Sequence, residues 1–258
     1  MTLLDSTPSR QAAEPQRFFP APLRLCVSAF NWVCLFISLA ACTAPPTAEP
    51  TITPRPTPTL LSIHLPTDLL FLTEPLAACA PADTGLLFFE AHIPPLPEGA
   101  HTLTLWLGQP PEGVFAAGLG LERISFIVNA QNPLESLTPG EARKIFSGEQ
   151  GTWGDGTPVE VWLPLEGSAA RQIFDQVFLS LPVSPEAYLS PSPAAAVEAV
   201  AANEGAIALI PEGWLTPAVK AVGPLADLPV LALTDGEPQG VLRVFVGCLQ
   251  GAGVTGRE

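Results

Sequence analysis

Residues 124–174 read ISFIVNAQNPLESLTPGEARKIFSGEQGTWGDGTPVEVWLPLEGSAARQIF. The run from Ile124 ends at Asn129 and has the length and β-branching of a buried strand. A helix with an explicit start follows: Thr138 is its N-cap, Pro139 occupies the first position, and Glu141 can close a capping box. Ala142, Ile145 and Phe146 give that helix an apolar stripe, and Gly148 stops it. Gly151 to Gly156 is turn-rich, and Val159 to Leu163 is a second strand. Glu166-Gly167-Ser168 then opens a second helix, with Ala170, Ile173, Phe174, Val177 and Phe178 spaced three and four apart. Strand, helix, strand, helix predicts an α/β layer on a parallel sheet.

On either side the pattern continues. Before this stretch, strands are expected at Leu60–Leu65, Gly85–Ala91 and Thr102–Leu107. Thr67 or Asp68 can cap a helix through Leu69 to Ala78, which Pro75 should kink or split. Gly118-Leu119-Gly120 lacks the third glycine of a dinucleotide fingerprint and reads as a turn. After Phe178, Leu179 to Ser192 reads as a loop. Ser192 caps a third helix with Pro193 at its first position; Ala206–Ile210 and Leu228–Leu233 are strands, and Gly240–Leu249 is a closing helix.

The chain has 258 residues, with 25 acidic against 11 basic side chains and a net charge of −14. Without a basic patch it is not a nucleic-acid binder. The same charge repels anionic headgroups, so membrane attachment has to be covalent or apolar. A buried anion site is still compatible with it, because such a site works through local N–H groups.

Arg10, Arg17 and Arg24 precede a 17-residue apolar run, Leu25 to Ala41, that ends Leu39-Ala40-Ala41-Cys42. A charged start, an apolar stretch and small residues before a cleavage point describe a secretory signal over residues 1–41. The alternative is a retained membrane anchor, for which 17 residues interrupted by Asn31 is marginal. The L-A-A-C ending resembles the bacterial lipobox, which implies a lipid on Cys42. Residues 42–59 are rich in proline and threonine and read as an extended tether.

A wider resemblance lies in V-N-x-x-N-P-L-x-x-L-T (Val128 to Thr138), I-F-S-G (Ile145 to Gly148), Trp153 and E-G-S-x-x-R-x-x-F (Glu166 to Phe174). This string is similar to the phosphate-binding, PstS-like branch of the periplasmic substrate-binding proteins of ABC transporters. The resemblance implies a two-lobed α/β fold with crossover hinge strands. Lobe I would be residues 60–124 with 226–251 and lobe II residues 125–225, with a ligand cleft between them. It implies contacts from the loops at Thr67 and Gln109 and from Gly167, Ser168 and Arg171. The first two match by position only, and S-A-A-R stands here where the family has S-G-T-R.

Gly167-Ser168 at a helix start offers unpaired N–H groups to an anion, and Arg171 in the same turn can pair with an oxyanion. Two plainer roles stay open: Ser168 as an ordinary N-cap and Arg171 as a surface or inter-helix pairing residue. Cys79 and Cys248 are the cysteines outside the signal and lipobox, and they are either bridged or two separate buried thiols. His64, His92 and His101 show no metal-ligand spacing, and neither a cofactor nor a catalytic residue is expected. The sequence thus predicts a lipid-anchored extracytoplasmic protein that captures a small anionic solute, phosphate or a similar oxyanion, for an ABC permease. The rival reading is a non-transport lipoprotein that keeps the scaffold as a sensor or assembly module.

Overall fold

A computed structural model describes residues 57–179 and 181–253. The expected signal, Cys42 and most of the tether lie outside the described residues.

Strand β1 (Thr59–Pro66) runs into a 3-10 turn (Thr67–Leu72) and a short helix, α1 (Thr73–Ala78). Pro75 therefore splits the expected helix: with no N–H to give, it is tolerated only in the first turn of the second piece. Then come β2 (Thr84–Ala91), β3 (Thr102–Leu107) and a long β4 (Phe115–Asn129). The middle of the chain forms α2 (Pro139–Phe146), β5 (Glu160–Pro164), α3 (Ala169–Val177), β6 (Tyr188–Ser190), α4 (Pro193–Ala202) and β7 (Ala206–Pro211). β8 (Val219–Thr234) and α5 (Gly240–Ala252) complete it.

The eight strands make one sheet in the order β2-β1-β3-β8-β4-β7-β5-β6. It is mixed rather than wholly parallel. β1, β2 and β3 are parallel at one end and β5, β6 and β7 at the other. Between them β4 and β8 pair antiparallel with each other and with their outer neighbours. β8 meets β3 through Val230–Leu233, whereas β4 meets β7 through Ile124–Val128. The two long strands therefore cross between the two ends of the sheet, as the resemblance implies for crossover strands. Arg123 and Asp227 brace this crossing with a two-pronged ion pair at 2.7 and 3.2 Å.

Three expectations change here. Gly118-Leu119-Gly120 is part of β4, not a turn, and the ladder shifts register between its two glycines. A glycine pair in a strand marks a bulge as readily as a bend. The strand expected at Leu228 begins at Val219, because Pro224 and Pro229 sit at strand positions where they read as breakers. The loop from Leu179 contains the edge strand β6, too short to register as a pattern.

The helix starts follow their caps. The Thr138 hydroxyl accepts from the Glu141 amide, and the Glu141 carboxylate accepts from the Thr138 amide at 2.9 Å. These Thr138 contacts hold the Glu141 carboxyl below the usual range. Ser168 and Ser192 cap α3 and α4 in the same way.

Apolar faces of β1, β3, α1, α2, α3 and α5 pack into one cluster that includes Leu61, Leu105, Phe146, Phe174 and Phe245. A smaller cluster lies under α4, around Ile127, Val197, Val200 and Ile210. Cys79, just past α1, is bonded to Cys248 of α5 across 169 residues, with Cα atoms 5.7 Å apart.

Candidate functional site

Four loops converge beside the β4–β8 crossing. From the β1 end come Pro66-Thr67-Asp68, the His92-Ile93-Pro94 segment after β2, and Leu107-Gly108-Gln109 after β3. From the β7 end comes Glu166-Gly167-Ser168, which opens α3. All of them follow carboxyl ends of strands, where open α/β sheets place their ligands. They surround a cavity of about 40 Å³ lined by Asp68, His92, Ile93, Trp106, Gly167 and Gln172. A cavity of about 10 Å³ lies on the other side of Asp68 and His92, against Thr67 and Ser168. Gln109 lines a third, of about 80 Å³, with Trp106 and Gln172. The first two have room for a few waters at most.

Asp68 is the centre of the arrangement. It is 2 % exposed, and its Oδ2 accepts the Ala169 amide at 3.0 Å. A carboxyl from one end of the sheet thus takes the first free N–H of a helix that belongs to the other end. Helix N-termini attract anionic groups for this reason. Burial pushes the Asp68 carboxyl above its ordinary 3.8, while the amides of Ala169 and Ala170, and then His92, pull it back down. The Asp68 main-chain carbonyl accepts Trp214 Nε1 at 2.9 Å.

His92 makes the next contact. Its Nε2 lies 2.8 Å from the Glu166 carbonyl oxygen. A carbonyl only accepts, so Nε2 carries a proton. Its Nδ1 is buried with no hydrogen-bond partner among the described residues. Gly167 has φ of +92°, and a Cβ there would stand 2.5 Å from Ile93 Cδ1. The positive φ favours glycine here, and a Cβ would also need the exposed Ile93 side chain to move.

The residues expected to hold a ligand are distributed unevenly. Thr67, Gly167 and Ser168 come together at the small cavities, and Gln109 stands at the rim. Ser168 Oγ accepts the Arg171 amide at 3.2 Å and donates to the Leu165 carbonyl at 3.0 Å, as an N-cap does. Arg171 is not brought to the cleft. Its Nε donates to both oxygens of Asp175 at 2.9 and 3.1 Å, and Nη1 reaches the Pro164 carbonyl. The four-residue spacing to Asp175 on one helix explains this orientation. Asp68 was visible in the sequence only as a possible cap for its own helix, and it caps α3 instead. Among the described residues no group of three potential ligands is close enough to hold a metal ion. No helix of the described residues is long and apolar enough to cross a membrane.

Comparisons with known proteins agree with this architecture. A sequence model described as the PBP superfamily domain matches residues 111–221. The fold is similar to that of a putative phosphate ABC transporter substrate-binding protein from Clostridium perfringens, solved with bound phosphate. That likeness has a TM-score of 0.63 at 17% identity and covers 74% of this chain and 93% of that one. An ABC-type phosphate transport receptor from Vibrio cholerae gives 0.53 at 16% identity, over 74% and 93% of the two chains. The reduced form of OxyR from N. meningitidis gives 0.52 at 14% identity, over 75% and 95%. No curated protein matched in sequence. Of these three structures, the first is named a substrate-binding protein and the second a transport receptor. Residues 111–221 thus match the PBP superfamily domain, in a chain whose fold is similar to that of a phosphate ABC transporter substrate-binding protein.

Proposed function

We propose that this chain is an extracytoplasmic solute-binding protein, held at the membrane by a lipid on Cys42, that presents a small oxyanion to an ABC permease. The observation that carries the reading is the N-terminus of α3, which opens at Gly167–Ala169 into the space between loops from opposite ends of a hinged sheet. The amide groups there, which the Asp68 carboxyl occupies in this structure, favour an anion over a cation or an extended apolar ligand. Opening about the β4–β8 crossing would admit the solute, and closure would bury it. In this reading residues 60–124 with 226–251 and residues 125–225 are the two bodies that move, and Thr67, Gly167 and Ser168 face the ligand. The phosphate named in the Clostridium perfringens structure supports the choice of ligand class.

A second reading is favoured by Asp68. A carboxyl already seated on the α3 N-terminus suits a scaffold retained for sensing or assembly, and the regulatory OxyR proteins show that this fold is not confined to transport.

Thermal unfolding of the full chain in detergent, with phosphate, sulfate, molybdate and tungstate added separately, tests the proposal. A ligand that binds only the folded state adds about 2.7 kcal/mol at a hundred times its Kd. The transport reading predicts a rise in Tm with at least one oxyanion. No rise with any of them, in the native chain or in Asp68→Ala, would move the function to sensing or assembly.

A further inference from the structure

We propose that Asp68 is an internal latch: its side chain docks on the Ala169 amide at the start of α3 and holds the two ends of the sheet closed in competition with an incoming anion. The contacts across the cleft are protein to protein and come from both sides of Asp68. The carboxyl takes the Ala169 amide at 3.0 Å, and the carbonyl of the same residue takes Trp214 Nε1 at 2.9 Å. Three residues on, the Phe71 ring lies over Gly213, where a Cβ would stand 2.3 Å from Phe71 Cζ, and meets Trp214 edge-on at 6.1 Å. His92 reaches the Glu166 carbonyl at 2.8 Å, and Ile93 fills the space against Gly167. Segments 66–71 and 92–93 are thereby fastened to 166–169 and 213–214.

Charge points the same way. Arg171, the cation nearest in sequence to this helix start, is turned to Asp175 and not to Asp68. The titratable group that does face it is His92. What Asp68 meets on α3 is therefore the amides of Ala169 and Ala170, the groups an external oxyanion would also need. A solute has to displace the carboxyl before the cleft can close on it. Its apparent affinity is then reduced by the fraction of molecules with the latch released.

The competition with solute rests on the proposed function; the latch itself rests on geometry. Hydrogen exchange of the segments 166–172 and 213–215 in the full chain measures opening, and calorimetric titration with inorganic phosphate measures competition. Asp68→Ala is expected to speed exchange in both segments and to tighten phosphate binding roughly tenfold or more, by release of the latched fraction. Asp68→Asn keeps an acceptor of the same shape without the charge and is expected to fall between. It carries the test if Asp68→Ala does not fold. Native-like exchange in both segments of the folded variants would overturn the latch, as would equal phosphate affinity in the native and Asp68→Ala chains. Faster exchange without phosphate binding in any variant would support the latch and remove the oxyanion from the proposed function.

Discussion

Phe146→Ala is expected to lower the unfolding free energy by about 3–5 kcal/mol, the range for truncating a fully buried aromatic. Phe146 is 0 % exposed. Its ring lies 5.3 Å from that of Phe126 and 5.1 Å from that of Phe174. Phe178 closes the group, 4.9 Å from Phe174 and 6.3 Å from Phe126. The four rings join α2, α3 and β4, so the hole left by alanine cannot collapse without moving two helices against the sheet. Tilted contacts of this kind add to the burial of area. Denaturant unfolding of the variant measures the loss directly. A change below about 1 kcal/mol would mean that the helices close over the gap more easily than this packing allows.

Removing the Cys79–Cys248 bridge is expected to cost about 3–5 kcal/mol. The bond closes a loop of 169 residues that contains most of the folded chain. Cross-linking so long a segment removes much of the freedom of the unfolded state, and the entropic contribution grows with the logarithm of the loop. In the folded state the bond joins α1 to α5, whose Leu76, Phe245 and Leu249 are already buried in the same cluster. The Cys79→Ala, Cys248→Ala chain should therefore fold to the same structure with a lower denaturation midpoint, and reductant should leave its midpoint unchanged. Equal midpoints for the native and doubly substituted chains would show that apolar packing alone fixes α1 on α5.

The helices of this protein are legible because their starts are local. Thr138 with Glu141, Ser168, and Ser192 with Pro193 each act within one turn, and each sits where its spacing placed it. Strand ends that depend on distant partners were harder to read. Gly118 and Gly120 belong to a strand only because Leu231 and Val230 lie beside them, and Pro224 and Pro229 interrupt a pattern that the β4 pairing restores. The centre of the cleft was the least legible part. Asp68 lies 101 residues from the amide it binds, and no local signal distinguishes a residue that caps its own helix from one that caps another. The alternative role of Arg171 was read as surface or inter-helix pairing, whereas its partner is Asp175, four residues on in the same helix.

The central claim is that the α3 N-terminus is the ligand position and that Asp68 competes for it. A crystal structure of the full chain grown in saturating phosphate tests this most directly. The account predicts phosphate on the Ala169 amide, with the Asp68 carboxyl displaced from its place 3.0 Å away. Phosphate bound elsewhere with the Asp68–Ala169 contact intact would contradict it.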